Sequence, residues 1–321
     1  MSGAVSVNGV SAATGEKSQG ICRVDVGTAT IDVPLVVING TRPGPRVAVT
    51  AGIHGGEYVS IPALRNVAMS LTPNDVAGSL VAVLVANTTA FFGRSVYYTP
   101  LDGLNLNRVF PGNAQGKPTE RLARWLLDNV ILPSDRYIDM HSGDLNEVLE
   151  PFVGLAAPVS PEVDAAALKM ARAYGLKYIV EGGGQAPNGP AIAAARAASI
   201  PTMWTEVGGR GSWTADEVRQ HEEGLLRALA AAGLLPDRDP SPPLVSEVIS
   251  RKAWLQTSAT GCWYPNVDLG DSVEEGRVLG EVKDFFGETL LVVTAPVTGM
   301  VFFLVTALAV NAGDPLMGLS Y

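Results

Sequence analysis

Cysteine, histidine and runs of like charge are all scarce in this chain. The two cysteines, Cys22 and Cys262, stand far apart and match no metal or redox spacing. Unpaired thiols of this kind belong to a reducing compartment, so a cytoplasmic protein is expected. No stretch reaches the ~18 apolar residues of a membrane span, so no membrane partner is expected. The N-terminal "MSGAVSVNGVSAATGEKSQG" lacks a basic start and a continuous apolar stretch; it is read as no signal peptide but as a loose or edge segment. Lys and Arg never cluster, and 32 acidic residues against 23 basic ones give a net charge of −9, so the footprint of a nucleic-acid partner is missing. No repeat of solenoid period is visible. What the chain does have is apolar material: 321 residues, 47% hydrophobic, enough for one large domain or one large plus one small.

Short apolar runs at 46–52, 80–87, 135–140, 176–182 and 200–207 read as buried strands, and helical patterns lie near 57–70, 118–131, 161–174, 189–198 and 214–235. That alternation predicts an α/β fold with a parallel or mixed sheet covered by helices on both faces. The last helix opens with Thr214 and Glu217 at capping-box spacing. Proline and charge then gather in "LLPDRDPSPPLVSEV" (234–248), as at a domain edge. Glycine- and valine-rich pieces of strand length follow, without a helical pattern, which divides the chain into an α/β domain over 1–240 and a smaller all-β module over 241–321.

In an open α/β sheet, ligands gather beyond the carboxyl ends of the strands. Four candidate groups sit at such places: His54 and Glu57 in "AGIHGGEYVS", His141 in "IDMHSGD" and Glu206 in "WTEVGG". Two imidazoles and a carboxylate, with a fourth position left to water, make a catalytic zinc shell. The metal would lower the pKa of that water towards ~7 and polarise a carbonyl. A further carboxylate must take the water's proton and return it to the leaving nitrogen, a role that suits Glu206. A lone H-x-x-E is also an ordinary helix-face pair; it is His141 and Glu206 that turn it into a site. The third histidine, His221, falls in the last helical pattern near Val218 and Leu225 and reads as a partly buried helix residue.

A second stretch, "FFGRSVYYTPLDGLNLNRVFPG" (91–112), sets Asn107 beside Arg108 in a loop rich in glycine and proline. A guanidinium fork next to an amide is a receptor for a carboxylate, and Arg94, earlier in the loop, could stabilise an oxyanion. Solvated surface ion pairs are the alternative for either arginine.

"GIHGGE", "NLNRVFPG", "DMHSGD" and "TEVGG", in this order, resemble the succinylglutamate desuccinylase/aspartoacylase family of the zinc carboxypeptidase clan. The resemblance implies a zinc-carboxypeptidase-like mixed sheet, one Zn2+ per chain on His54, Glu57 and His141, and Glu206 as general acid/base. It implies Asn107 and Arg108 as holders of a substrate carboxylate and Arg94 as the carbonyl-polarising arginine. Family members often carry Asp where this chain has Asn105; an amide oxygen still accepts from an imidazole N–H, but without charge. "NLNRVFPG" looks like the version in the bacterial N-acyl-diamino-acid deacetylase branch.

The β tail is similar to the biotinyl/lipoyl-type hybrid barrel, on its "V-x-x-G-x-x-L-G", "APVTGMV" and "NAGDPLMGL" spacing. Lys283, ahead of "DFFGE", does not sit as a carrier lysine would, and the module is expected to shape the active-site mouth or a homo-oligomer interface. The expected function is zinc-dependent hydrolysis of the amide bond of a small N-acyl amino acid. Alternatives are a zinc metallocarboxypeptidase acting on short peptides and a non-catalytic metabolite-binding homologue. Asp144, three residues past His141 and followed by Glu147 and Glu150, suits a substrate with a second, cationic amine, as in an N-acetylated diamino acid.

Overall fold

The computed structural model describes residues 3–182 and 189–321. Its centre is a sheet of nine strands among the described residues: β1 (Glu16–Asp25), β2 (Thr30–Asn39), β3 (Arg42–Ala51), β4 (Ala77–Val83), β5 (Arg136–His141), β6 (Phe152–Leu155), β7 (Tyr178–Glu181), β8 (Thr202–Glu206) and β9 (Glu247–Ile249). They lie in the order β9-β7-β6-β8-β5-β3-β4-β2-β1. The run β8-β5-β3-β4 is parallel, while β2 joins β4, β1 joins β2, and β6 joins β8, antiparallel.

The central strands are hydrophobic almost throughout because both of their faces are covered. On β3, Val47, Val49 and Ala51 point to one core and Ala48 to the other; Leu80 and Ala82 of β4 likewise oppose Val81 and Val83. Helices α1 (Ser60–Ser70), α4 (Pro161–Tyr174) and α6 (Ala215–Ala231) bury Leu64, Met170 and Leu225 against the first face. Helices α3 (Pro118–Leu126) and α5 (Ala191–Ala197) cover the second with Leu122 and Ile192, joined by Val7, Val10 and Ala12 from a hairpin of Val5–Val7 and Val10–Ala12. The short α2 (Thr88–Gly93) lies between β4 and the loop of Arg94.

Caps written in the sequence fix the helix starts. The Thr214 hydroxyl accepts the Glu217 N–H at 3.2 Å while the Glu217 carboxylate accepts the Thr214 N–H at 2.8 Å, the reciprocal pair that the spacing predicts. Ser160 and Pro161 open α4, and Gly175, with φ of 80°, ends it. Of the N-terminal segment, whose first two residues lie outside the described ones, Glu16–Asp25 supplies the sheet's edge strand β1. It was not among the predicted strands because its two-sided alternation is mostly polar.

After residue 250 two antiparallel sheets pack face to face. Lys252–Gln256, Pro315–Ser320, Gly299–Val305 and Ser272–Val273 form one; Thr289–Thr294, Val278–Lys283, Gly261–Pro265 and Ala309–Val310 form the other. Trp263, Leu279, Phe302, Leu316 and Leu319 fill the space between them. Lys283 ends a strand, paired with Glu281 at 2.8 Å, while Phe285 and Phe286 occupy the hairpin turn beyond it.

The two parts exchange strands. β9 completes the edge of the large sheet, and Glu147–Leu149, just after His141, pairs with Phe303–Val305 of the C-terminal sheet. The N–H groups of Thr306 and Ala307 also donate to the Asn146 carbonyl, at 2.7 and 3.3 Å. The β tail therefore fixes the chain that leaves the sheet beside the candidate site.

Candidate metal centre and active site

Three adjacent parallel strands deliver the site. The turn after β3 carries His54 and Glu57, β5 ends on His141, and β8 ends on Glu206, which lies in register opposite His141. Glycine makes the turn possible. Gly52 takes φ of 66°; a Cβ on Gly55 would come within 2.1 Å of the Ala90 carbonyl carbon, and one on Gly56 within 2.0 Å of Asp144 Oδ1. The loop can therefore fold tightly between α2 and the segment after His141.

His54, Glu57 and His141 are buried, and one ligand atom from each lies within 4.8 Å of the others. His54 Nδ1 is 2.5 Å from Glu57 Oε1 and His141 Nδ1 is 2.6 Å from Glu57 Oε2. The far nitrogens are committed elsewhere. His54 Nε2 faces Asn105 Oδ1 at 3.0 Å, and that oxygen is identified by the Asn107 backbone N–H it also accepts, at 2.8 Å. His141 Nε2 faces Asp139 Oδ2 at 2.9 Å, and the other oxygen of Asp139 accepts the Thr50 hydroxyl at 2.6 Å. Both imidazoles therefore carry hydrogen on Nε2 and turn Nδ1 towards Glu57. Two nitrogens and a carboxylate converging with outer partners in place are a donor set that fits a divalent cation such as zinc.

Electrostatics are concentrated here. Burial alone would raise the Glu57 pKa, but the two imidazoles outweigh it and lower it to about 2. Burial opposes charge on His141 too, yet Asp139 and Glu57 hold its pKa well above the ordinary value. Glu206, partly exposed at its strand end, is raised well above the usual carboxyl range by burial and by the Glu57 charge, against the pull of His141.

Around this centre the candidate Asp144 and its neighbour Glu147 are joined by Tyr97, which sequence reading missed. Tyr97 has a left-handed backbone, φ of 58°, unusual for a bulky residue. Its N–H donates to Asp144 Oδ2 at 2.9 Å, its hydroxyl donates to Glu147, and its ring meets His54 edge-on with centroids 5.9 Å apart. Burial raises Asp144 to about 6 and Glu147 to about 7, with Glu57 adding to both. Asp144 is fully buried, and its second oxygen accepts the Leu145 N–H at 2.7 Å. Asp139 could have been found in the sequence, since on a strand it shares a face with His141 two residues on; nothing near Tyr97 signalled its part.

The remaining candidates differ in burial. Asn107 is buried and accepts the Ala191 N–H at the start of α5 at 2.9 Å; among the described residues its Nδ2 donors meet no acceptor. Arg108 is exposed and donates to the Asn107 carbonyl at 2.9 Å. Arg94 is exposed, caps α2 with φ of 50°, and leaves its guanidinium without an acceptor among the described residues. His221 differs from expectation. It is fully buried, and its Nε2–H donates to the His141 carbonyl at 3.0 Å while Nδ1 meets the Tyr174 hydroxyl at 2.5 Å. Burial depresses its pKa to about 3.

Among the described residues no helix is long and apolar enough to cross a membrane. Residues 43–232 match the succinylglutamate desuccinylase/aspartoacylase catalytic domain. The chain is 32% identical over 262 residues to an N-α-acetyl-L-2,4-diaminobutyric acid deacetylase of Halomonas elongata, covering 78% of this chain and 74% of that one. A succinylglutamate desuccinylase/aspartoacylase from Rhodobacter sphaeroides superposes with a TM-score of 0.83 at 25% identity, with 95% of each chain covered. The product-bound ectoine utilization protein EutE (DoeB) from Ruegeria pomeroyi shares the fold, with a TM-score of 0.84 at 24% identity over 95% of this chain and 94% of that one. Family and curated relative both point to an enzyme of the deacylase type, and the chain belongs to the succinylglutamate desuccinylase/aspartoacylase family.

Proposed function

We propose that this protein hydrolyses the amide bond of a small N-acyl amino acid, with an N-acetylated diamino acid as the preferred substrate and one Zn2+ per chain as cofactor. The observation that carries the reading is the convergence of His54 Nδ1, His141 Nδ1 and Glu57 on one point, with Glu206 in register beside His141. Zinc held by His54, Glu57 and His141 would supply Lewis acidity to water and to the substrate carbonyl.

The chain's own residues supply the rest. Glu206 takes a proton from the attacking water and returns it to the leaving nitrogen, so that the C–N bond breaks to give a carboxylate and a free amine. The Nδ2 donors of Asn107 and the exposed fork of Arg108 bind the α-carboxylate. Arg94, exposed after α2, stabilises negative charge on the carbonyl oxygen. Asp144, whose oxygens are held by backbone N–H groups, favours a second amine through its field. The relative from Halomonas elongata, named for such a substrate, supports this choice.

We further infer that residues 1–240 carry the chemistry and that 241–321 form a module holding the active-site mouth, a division supported by the pairing of Glu147–Leu149 with Phe303–Val305. Two free thiols support a cytoplasmic location. The test is a hydrolysis panel of N-acetyl, N-succinyl and N-formyl amino acids and dipeptides, with metal analysis on the same sample. Zinc near one per chain, lost together with activity in His54→Ala and His141→Ala, is the expected result. Turnover of dipeptides alone would favour a carboxypeptidase, and parental zinc content in His141→Ala would overturn the ligand set.

A further inference from the structure

We propose that His221 is a positioning residue for the metal centre, acting through the backbone carbonyl of His141. His141 is the last residue of β5, where the chain leaves the sheet. A strand's final carbonyl normally pairs with the next strand or with water; this one receives the Nε2–H of an imidazole from α6, at 3.0 Å. The carbonyl can only accept, so Nε2 must carry the hydrogen, and Nδ1 is left to accept the Tyr174 hydroxyl at 2.5 Å. The result is a directed chain of hydrogen bonds from the end of α4, through α6, to the peptide plane that carries the His141 side chain.

Local packing is arranged around this chain. The Tyr174 and His221 rings meet edge-to-face with centroids 6.1 Å apart, and Gly224, three residues further along α6, leaves room for the tyrosine. A Cβ on Gly224 would come within 2.3 Å of the Tyr174 ring. All four partners, His141, Tyr174, His221 and Gly224, lie in the interior, where an unmet carbonyl or hydroxyl is costly. An apolar side chain at 221 could fill the space but would release the His141 peptide plane. His141 Nε2 is already fixed by Asp139 and its Nδ1 faces Glu57; the His221 bond fixes the third element, the backbone from which the ring projects.

The inference rests on the zinc reading given above, and its test separates the two. Zinc affinity is measured by competition with a chelator for the parent, His221→Leu, His221→Gln and Tyr174→Phe, each shown by circular dichroism to be folded at the measuring temperature. Loss of a group that orients a metal-binding histidine costs about 10–100-fold in affinity, and one step further removed the lower end is expected, about tenfold for His221→Leu. Gln places an amide N–H near the imidazole Nε2 position and should restore affinity to within about threefold; Tyr174→Phe, which frees one end of the imidazole, should fall between. Parental affinity in folded His221→Leu, or a Gln variant as weak as Leu, overturns the role. Should His221→Leu fail to fold, parental affinity in Tyr174→Phe together with weak binding in His221→Gln overturns it. A parent that takes up no zinc sinks the metal-centre reading and this inference with it, whereas a zinc-binding parent with indifferent variants sinks only the inference.

Discussion

The two imidazoles at the centre face Glu57 almost equally, at 2.5 and 2.6 Å, and differ in what holds the opposite nitrogen: an amide oxygen for His54 and a carboxylate for His141. Asn105→Asp would remove that difference. The side chain keeps its shape, and the Asn107 N–H that fixes the Asn105 oxygen at 2.8 Å remains to fix the carboxylate. A neutral hydrogen bond nets about 0.5–1.5 kcal/mol and one to a charged group about 1.5–3, so the exchange is worth about 1 kcal/mol in favour of the metal-bound state. Since about 1.4 kcal/mol is tenfold, zinc should bind about fivefold more tightly. Residue 105 is only partly buried, which limits the cost of desolvating the new charge. The reverse change, Asp139→Asn, should weaken zinc by about tenfold or more, because the buried His141 loses its charged partner. The assay is chelator competition at one fixed pH, with the melting temperature of the metal-free proteins as control. Weaker zinc binding in both variants would refute the argument, since shape rather than charge would then govern the outer partners.

Three further outcomes are expected. Glu206→Gln keeps the shape and removes the proton acceptor, so kcat should fall by about a hundredfold or more with zinc content unchanged; parental turnover in the zinc-loaded variant would remove Glu206 from its role. Gly56→Ala puts a methyl group 2.0 Å from Asp144 Oδ1 and 2.6 Å from Leu145 Cγ, and it should cost about 1–3 kcal/mol in thermal or denaturant unfolding along with most of the activity; an unchanged midpoint would show that the loop gives way freely. Asp144→Asn should lower kcat/KM for N-acetyl-diaminobutyrate by more than about tenfold and spare a neutral N-acetyl amino acid; equal losses on both would reduce Asp144 to an anchor for the Tyr97 and Leu145 N–H groups that it accepts.

Much of the fold could be read from the sequence because the central strands are buried on both faces and so appear as continuous apolar runs. The pattern at 161–174 is α4 to the residue, since Ser160, Pro161 and Gly175 mark its ends chemically. The pattern at 118–131 is α3 continued by a wider turn over Leu127–Ile131, whose backbone bonds skip one residue further than apolar spacing can reveal. The run at 80–87 ends as a strand at Val83, because Asn87 is already the cap of α2 and accepts the Ala90 N–H at 3.2 Å. β1 and β2 went unseen for different reasons: β1 is an edge strand with one solvated face, whereas β2 carries the apolar run 33–38, buried on both faces, and was readable as a strand.

The site divides along a similar line. His54, Glu57, His141 and Glu206 were legible because each is a chemically distinctive residue at the end of a buried run, and the parallel order β8-β5-β3 brings those ends together. Of the groups that hold them, Asn105 came with the resemblance, as an amide accepting from an imidazole N–H, and the others were not legible because their partners are far apart in sequence: Thr50 with Asp139, Tyr97 with Asp144 and Glu147, and His221 with His141. Hydrogen bonds of that kind exist only once strand order and loop path are fixed. Asp144 illustrates the consequence: adjacency to His141 suggested a carboxylate facing the substrate, whereas the fold turns both of its oxygens onto backbone N–H groups and makes it the anchor of a strained tyrosine against His54. With both oxygens on backbone N–H groups, Asp144 can favour a substrate amine only through its charge, and its loss can also disturb Tyr97, which is why neutral and cationic substrates have to be compared on the same variant.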